Sequence, residues 1–282
     1  MARGCLVAVG HLRIETVKLL PGQEWTDAAN AWRFVSLSSG AAYWLDPKRP
    51  RALAERELLV AVPGLKAVIL ASQLGPVVLD GFTFAPDSLW GFFTLNERQD
   101  FERAATAAGE AIRFLPSTHP VSRRFAALAR QRELGLDLVA RAEVLGLIAA
   151  FFSGGASPAA TLVSGGSSAH GRFDEVICQM PDVELIRHSP EELARLCGCS
   201  TRHFNRLFRE RFGQSPRARQ TDLRLSQARQ QLAESDRKVS EIALHSGYRS
   251  VSLFNALFKR RFGLSPSAWR QRLARGDGSA VS

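Results

Sequence analysis

The side chains with the most evident chemistry stand near the C-terminus and share one helix face. Arg202, Asn205, Arg206 and Arg209 recur at i, i+3, i+4 and i+7, while Phe204, Leu207, Phe208 and Phe212 fall on the opposite side. A planar guanidinium offers two donors that fit O6 and N7 of guanine, and a primary amide fits N6 and N7 of adenine. The same cations can instead neutralise phosphates. About fifty residues on, Ser252, Asn255, Ala256 and Lys259 face away from Phe254, Leu257, Phe258 and Phe262. An aromatic stripe at helical spacing is core. A basic run is often only a solvated face, but this one recurs in two copies on helices left exposed.

Other chemistries find little support. Cys197, Cys199 and His203 could be three metal ligands, yet the spacing is unlike the paired C-x2-4-C pattern of structural zinc. Gly155-Ala156-Ser157 and Gly165-Gly166-Ser167 echo a nucleophile elbow, with no strand before them and no helix after. There is no phosphate-binding lysine loop and no G-x-G-x-x-G, and the six histidines are scattered without H-x-H or H-E-x-x-H pairing. No catalytic residue, metal site or cofactor is expected, and the chain reads as a non-enzyme.

The elements that position the two faces form an internal repeat. Residues 204–216 and 254–266 are identical at nine of thirteen positions at an offset of 50, and Ala194…Gly198 matches Ala243…Gly247 at an offset of 49. Each copy reads as helix, tight turn, helix, over 189–212 and 239–262. In the first, Ser189-Pro190-Glu191-Glu192 is a capping box with proline at the first helical position. Leu193, Ala194 and Leu196 form its apolar face, and Gly198 ends it. Ser200 and Ser250 cap the outward-facing helices. Ser215-Pro216 opens a helix running to about Glu234, with Leu225, Ala228 and Leu232 as its buried seam. Twenty helical residues span ~30 Å, and adjacent major-groove openings on one face of B-DNA lie ~34 Å apart.

The whole chain has 282 residues, enough for two domains, with 45% hydrophobic and 23% charged residues and a net charge of +10. Residues 1–173 hold 18 basic and 15 acidic side chains; residues 200–275 hold 17 and 5. A polycation confined to one end points to phosphates. The longest apolar run, Val144–Phe152, is nine residues, far short of the roughly 17–25 of a membrane span. No membrane association and no secretion signal are expected, which puts the protein in the cytoplasm. Cys5, Cys178, Cys197 and Cys199 read as reduced thiols.

Residues 153–173 are small, polar and aperiodic, a flexible linker between domains over 1–152 and 174–275. In the first, short apolar runs at His11–Leu20, Trp32–Ser38, Ala42–Leu45, Glu57–Val62, Lys66–Ser72, Val77–Ala85 and Leu89–Leu95 alternate with turn signals. Seven strands suggest a small barrel or sandwich. Asn96 reads as an N-cap, and helices are expected over 97–114, 119–133 and 137–152. The last is apolar on nearly every side and suits burial or a dimer seam, with 119–133 beside it. The fold class is α+β: a β-barrel or sandwich with helices, then an all-α double helix-turn-helix domain.

The C-terminal motifs resemble those of the AraC/XylS transcription regulators. The carriers are the paired units, Ser240-Glu241-Ile242-Ala243…Ser246-Gly247-Tyr248-Arg249-Ser250, and Phe254…Phe258-Lys259-Arg260-Arg261-Phe262-Gly263…Ser265-Pro266…Trp269-Arg270. The resemblance covers roughly 174–275. It implies that Arg202, Asn205 and Arg206 in the first helix read bases, as do Val251, Ser252, Asn255 and Ala256 in the second. Ala256 departs from relatives with a polar reader there, so the first helix should discriminate more. Arg209, Arg249, Lys259 and Arg260 suit phosphate contacts. The order of elements in the first half is similar to the family's cupin-type effector and dimerisation domain. The resemblance thus implies a sequence-specific DNA-binding activator. It implies a homodimer through 119–152, double-stranded DNA and RNA polymerase as partners, and a small-molecule effector. Trp25, Trp32, Tyr43, Trp44, Trp90 and Phe92 are candidates for the effector pocket, with simple core packing the competing role of each. His11 and His119 alone do not make a cupin metal site. A metal-dependent cupin-like enzyme with a DNA-binding appendage is the rival reading, and a non-specific architectural DNA binder the third.

Overall fold

A computed structural model describes residues 11–27, 30–46, 50–106, 111–130, 138–153 and 168–274. Cys5 and the stretch 154–167 of the expected linker, with its two glycine–serine segments, lie outside these residues. The described residues fall into two compact units. One draws on Met1–Ala85 and Ala104–Ala160, the other on Pro86–Arg103 and Thr161–Ser282.

The first unit is built on antiparallel strands β1 (Glu15–Leu19), β2 (Glu24–Asp27), β3 (Trp32–Ser39), β4 (Ala42–Trp44), β5 (Arg51–Ala52), β6 (Leu58–Ala61), β7 (Ala67–Ala71), β8 (Val77–Phe84) and β9 (Ile112–Leu115). They make a five-stranded sheet in the order β1-β8-β3-β6-β9 and a four-stranded sheet in the order β2-β7-β4-β5. Central strands β3 and β8 are buried on both faces along most of their length. Phe34 stacks on its cross-strand partner Phe82 at 4.6 Å, an arrangement that adds to simple area burial.

Helices α2 (Pro120–Arg130) and α3 (Leu138–Phe152) cover that face. Phe125 reaches Phe82 at 6.1 Å, Phe151 meets Phe34 edge-on at 5.4 Å, and Phe152 meets Trp32 at 4.9 Å. The stripe Val144, Leu147, Ile148 and Phe151 of α3 is buried within the unit. Leu138 and Val139 at its start are exposed. The buried Arg33 guanidinium donates to the carbonyls of Asp27 at 2.8 Å, Val62 at 3.2 Å and Leu65, tying two loops together.

Six of the seven expected strands are present. The seventh, Leu89–Leu95, lies in the other unit and is turns and bends as far as Phe93, with Leu95 already helical. Its aromatic composition suits a strand, but Gly91 takes φ +76° and the Leu89 and Phe92 amides bond back to Pro86 and Leu89. The helix expected over 97–114 also changes state. It is α1 (Leu95–Thr106), capped by Thr94 rather than Asn96: Thr94 Oγ1 accepts from the Glu97 amide at 3.3 Å, and Glu97 Oε2 accepts from the Thr94 amide at 2.8 Å. Ile112–Leu115 instead pairs with β6. That partner lies some fifty residues away, so local periodicity could not announce it. Strands β2 and β5 were likewise unexpected.

The second unit holds α4 (Ala169–Phe173), α5 (Asp182–Leu185), α6 (Pro190–Leu196), α7 (Thr201–Phe212), α8 (Pro216–Glu234), α9 (Val239–His245), α10 (Val251–Phe262) and α11 (Pro266–Ala274), plus one π-helical turn at Asp174–Cys178. Residues 168–173, placed by composition at the end of the linker, are a capped helical turn: Ser168 accepts from the Gly171 amide at 3.1 Å. Two separate apolar clusters fill the unit. Phe173, Ile177, Leu193, Ala194, Phe204, Phe208 and Leu223 belong to the first. Leu225, Ala228, Leu232, Ile242, Ala243, Phe254, Phe258 and Phe262 form the second. Helix α8 supplies side chains to both, so it is the rod that joins two lobes.

Candidate nucleic-acid interface

The two lobes repeat the turn and the outward helix, while only the first opens on a capping box. Ser189 and Glu192 close the expected capping box at the start of α6, with Pro190 in the first turn. In the first turn between helices, Gly198 has φ +63° and Cys199 N donates to Ala194 O at 3.0 Å; in the second, Gly247 has φ +84° and Tyr248 N donates to Ala243 O at 2.9 Å. These are left-handed positions, where a Cβ is strained. At Gly198 a Cβ would also lie 2.8 Å from the Arg172 guanidinium. Ser200 then caps α7 through the His203 amide at 3.3 Å, and Ser250 caps α10 through the Leu253 amide at 3.2 Å. Gly213 and Gly263 end both helices in the left-handed region.

This frame fixes which side of each helix is outward. Phe204, Leu207, Phe208 and Phe212 are buried in α7; Phe254, Phe258 and Phe262 are buried in α10, with Leu257 half-buried. Arg202, Arg206 and Arg209 are exposed and Asn205 half-exposed on the other side of α7. Val251, Ser252, Ala256, Lys259 and Arg260 are exposed on α10, with Asn255 half-buried, and Arg249 is exposed in the turn before it. One expected core residue is misplaced: Leu196 on α6 is 48% exposed. The seven-residue helix ends there, and Leu193 and Ala194 alone face the lobe's core.

The cations divide into two groups that the sequence does not separate. Arg98, Arg211, Arg219, Arg229 and Arg261 are engaged by acceptors: Asp87 and Asp182 hold Arg98, Asn96 holds Arg211, Glu102 holds Arg219, Asp87 holds Arg229 and Asp222 holds Arg261. Arg202, Arg209, Arg249, Lys259 and Arg260 form no ion pair among the described residues, and Arg206 has only a 3.8 Å contact to Glu210 and a 3.4 Å contact to His203 Nδ1. The outward faces of α7 and α10 thus carry exposed cations outside any close ion pair, as do Arg187, Arg195, Arg237 and Lys238 elsewhere in the unit, among the described residues. Helix α8 has 19 residues, or about 28 Å at 1.5 Å per residue.

Cys178 and Cys197 are buried and Cys199 is half-buried. Burial pushes Cys178 and Cys197 up to about 11, and it raises Cys199 as well. Protonated thiols are poor ligands and poor nucleophiles. Among the described residues no three His, Cys, Asp or Glu side chains are grouped to hold a metal. His11 and His119 bond to backbone, His119 Nδ1 accepting from the Val121 amide at 3.2 Å.

The expected pocket aromatics are divided between the two units. Trp25 and Trp44 are buried and share one cross-strand row with Ile69 in the four-stranded sheet. Trp32 is packed against α3. Tyr43, Trp44's neighbour along β4, is 42% exposed. Trp90 and Phe92 belong to the second unit. There Trp90 packs beside the first lobe's core and Phe92 is exposed.

Sequence reasoning missed a group of residues from the first half of the chain. Pro86–Arg103 runs along α8 as a strap. Leu95 enters the first lobe's core. Gly91 N donates to Asp182 Oδ1 at 2.9 Å, Arg98 pairs with Asp182 and lies 2.8 Å from Asp87, and Asp87 lies 2.6 Å from Arg229. Glu102 reaches Arg219 at 2.6 Å. Burial alone would raise the Asp87 pKa; Arg229 and Arg98 outweigh it and hold the carboxyl below the usual range. The charge of Asp87 and Arg98, eleven residues apart, was the only signal, and nothing local marks their partners.

Residues 193–272 match the family described as a helix-turn-helix domain. The chain belongs to the AraC/XylS family. It is a DNA-binding transcription regulator of that kind. Similar solved structures include ToxT from Vibrio cholerae, at 12% identity over 92% of this chain and 97% of that one, with a TM-score of 0.40. An AraC-type regulator from Chromobacterium violaceum is 28% identical over 33% of this chain and 89% of that one, TM-score 0.31. The DNA-binding domain of AdpA, a global transcriptional factor solved with a target DNA, is 32% identical over 35% of this chain and 98% of its own, TM-score 0.31. No curated protein matches the chain. Among the described residues no helix of this AraC/XylS regulator is long and apolar enough to cross a membrane.

Proposed function

We propose that this regulator is a sequence-specific activator that lays α7 and α10 into successive major grooves of one DNA face. In this reading Arg202, Asn205 and Arg206 read bases from α7, and Val251, Ser252, Asn255 and Ala256 from α10. Arg209, Arg249, Lys259 and Arg260 hold phosphates. The observation that carries it is that both repeats present exposed cations on the outward faces of α7 and α10, while the buried Arg98 and Arg219 and the half-buried Arg229 are tied to acids. The first half serves as a cupin-like sensor and dimerises through 119–152, where Leu138 and Val139 stay exposed at the start of α3. The indole N–H of Trp44 is buried with no acceptor among the described residues. A buried donor of that kind suits a small effector with an acceptor oxygen. The protein would act in the cytoplasm, with RNA polymerase as its partner at the promoter.

The test is selection of duplexes from a random pool by the full-length protein, followed by footprinting. Selected DNA is expected to bind about 10³-fold or more tightly than random DNA at ~150 mM salt; equal affinity would leave only an architectural role. Arg206→Ala should cost about 1–3 kcal/mol at one base pair and relax the choice there. A uniform loss over all operator variants would move Arg206 to the phosphate group. Replacing Arg209 or Lys259 with alanine should weaken binding to every sequence alike. It should also flatten the log–log salt dependence by about one unit. An unchanged slope would take that residue off the backbone.

A further inference from the structure

The repeat allows a comparison of the two helices position by position. Their frames are alike: serine N-cap, three buried phenylalanines, left-handed glycine at the end. Their outward faces are not. At an offset of 50, Thr201, Arg202, His203 and Arg206 of α7 correspond to Val251, Ser252, Leu253 and Ala256 of α10. Val251 is 40% and Leu253 55% exposed, and Ala256 is exposed between them and the charged turn that follows. Packing does not demand the exchange, since the buried residues are the same types in both copies.

Hydrogen-bonded reading is also reduced on α10. Asn255 is half-buried, and its carbonyl oxygen is inside with no partner among the described residues. The acceptor half of a two-bond contact to adenine is thereby withdrawn. Ser252 is the one hydroxyl left among the four reading positions.

The surroundings say what covers this apolar face. Arg249, Lys259 and Arg260 flank it, exposed and outside any ion pair among the described residues. Val251 and Leu253, two residues apart, stand on opposite flanks of the helix's first turn with Ser252 between them, and apolar groups set beside these cations fit a polyanion carrying an apolar group. In the major groove that group is the 5-methyl of thymine, which small aliphatic side chains meet by contact alone. We propose that α10 recognises thymine methyl groups through Val251, Leu253 and Ala256, while α7 reads its half-site by hydrogen bonds. This deepens the DNA-reading role above and rests on it.

Deoxyuridine tests the point, because it keeps base pairing and lacks only the methyl. Full-length protein is titrated against a duplex selected from a random pool, with each thymine replaced in turn. Two or more thymines clustered in one half-site should each lower affinity by about fourfold, the worth of one buried methyl-sized group. Replacements in the other half-site should have little effect. In Val251→Ser and Leu253→Ser, thymine and deoxyuridine should bind equally at the sensitive positions, with circular dichroism melting unchanged because both side chains are exposed. Equal binding of the two bases by the unaltered protein overturns the proposal, provided selected DNA still beats random DNA. A thymine preference that survives in both variants overturns it as well. Variants that keep affinity and base preference but lose transcription in vitro would assign the face to a protein partner instead. Failure to distinguish selected from random DNA would sink the underlying reading together with this one.

Discussion

Replacing Arg98 with alanine should destabilise the C-terminal unit by about 3–5 kcal/mol, the usual result of removing one partner of a buried ion pair. Arg98 is 5% exposed and Asp182 is wholly buried. Asp182 has Arg98 as its cation, with the Gly91 amide at 2.9 Å on its other oxygen. Alanine would strand that carboxylate away from water. It would also take one of two cations from Asp87, leaving Arg229 at 2.6 Å. Hydrogen exchange of the α6 and α7 amides in the full chain measures the effect on this unit separately. A change below ~1 kcal/mol would mean that Asp182 is hydrated or otherwise served, and the strap is then incidental. The pair Arg98→Met with Asp182→Leu should recover most of the loss, since well-packed apolar residues can replace a buried ion pair. Acid should act in the same direction as the single variant. The Asp87 pKa is depressed in the folded state, so its stabilisation is present at neutral pH and disappears as pH falls through the folded-state value. Without Arg98 the Asp87 pKa is less depressed, so that decline should be complete at a higher pH.

Phe258→Ala should cost about 3–5 kcal/mol and act on one lobe. Its ring lies 5.6 Å from Phe254, 4.7 Å from Phe262 and 6.2 Å from Trp269, all in or beside the second cluster. No residue of the first lobe's core belongs to that cluster. The second lobe should therefore lose hydrogen-exchange protection in α9 and α10 first, while α6 and α7 keep theirs. The footprint on selected DNA should shrink to one groove. Simultaneous loss of protection in both lobes would show that α8 couples them into one cooperative unit.

What the sequence announced and what it hid differ by the range of the interactions. The capping box at Ser189, the caps at Ser200 and Ser250 and the turn glycines at Gly198 and Gly247 are decided within a few residues. Both helix-turn-helix units could accordingly be read almost to the residue. The strands of β3, β6, β7 and β8 announced themselves by apolar runs bounded by turns. Strand β9 did not, because pairing with β6 rather than local pattern makes Ile112–Leu115 a strand. The Leu89–Leu95 run misled for the same reason: its aromatic residues serve a lobe assembled from the other end of the chain. At the interface, spacing placed the outward stripe correctly. It could not tell arginines committed to Asp87, Glu102 or Asp222 from those left uncommitted, since the acids lie far away along the chain.

The strap also bears on how this protein can be taken apart. Cutting at the glycine- and serine-rich stretch, the natural place to separate the two halves of the chain, leaves behind Leu95, Arg98 and Glu102. A hybrid regulator made by grafting residues from 168 onward to a foreign N-terminal domain would inherit Asp182 without its counter-ion and Arg219 without its acid. A functional transplant would need to carry Pro86–Arg103 as well, so the exchangeable module is two segments of chain and not one.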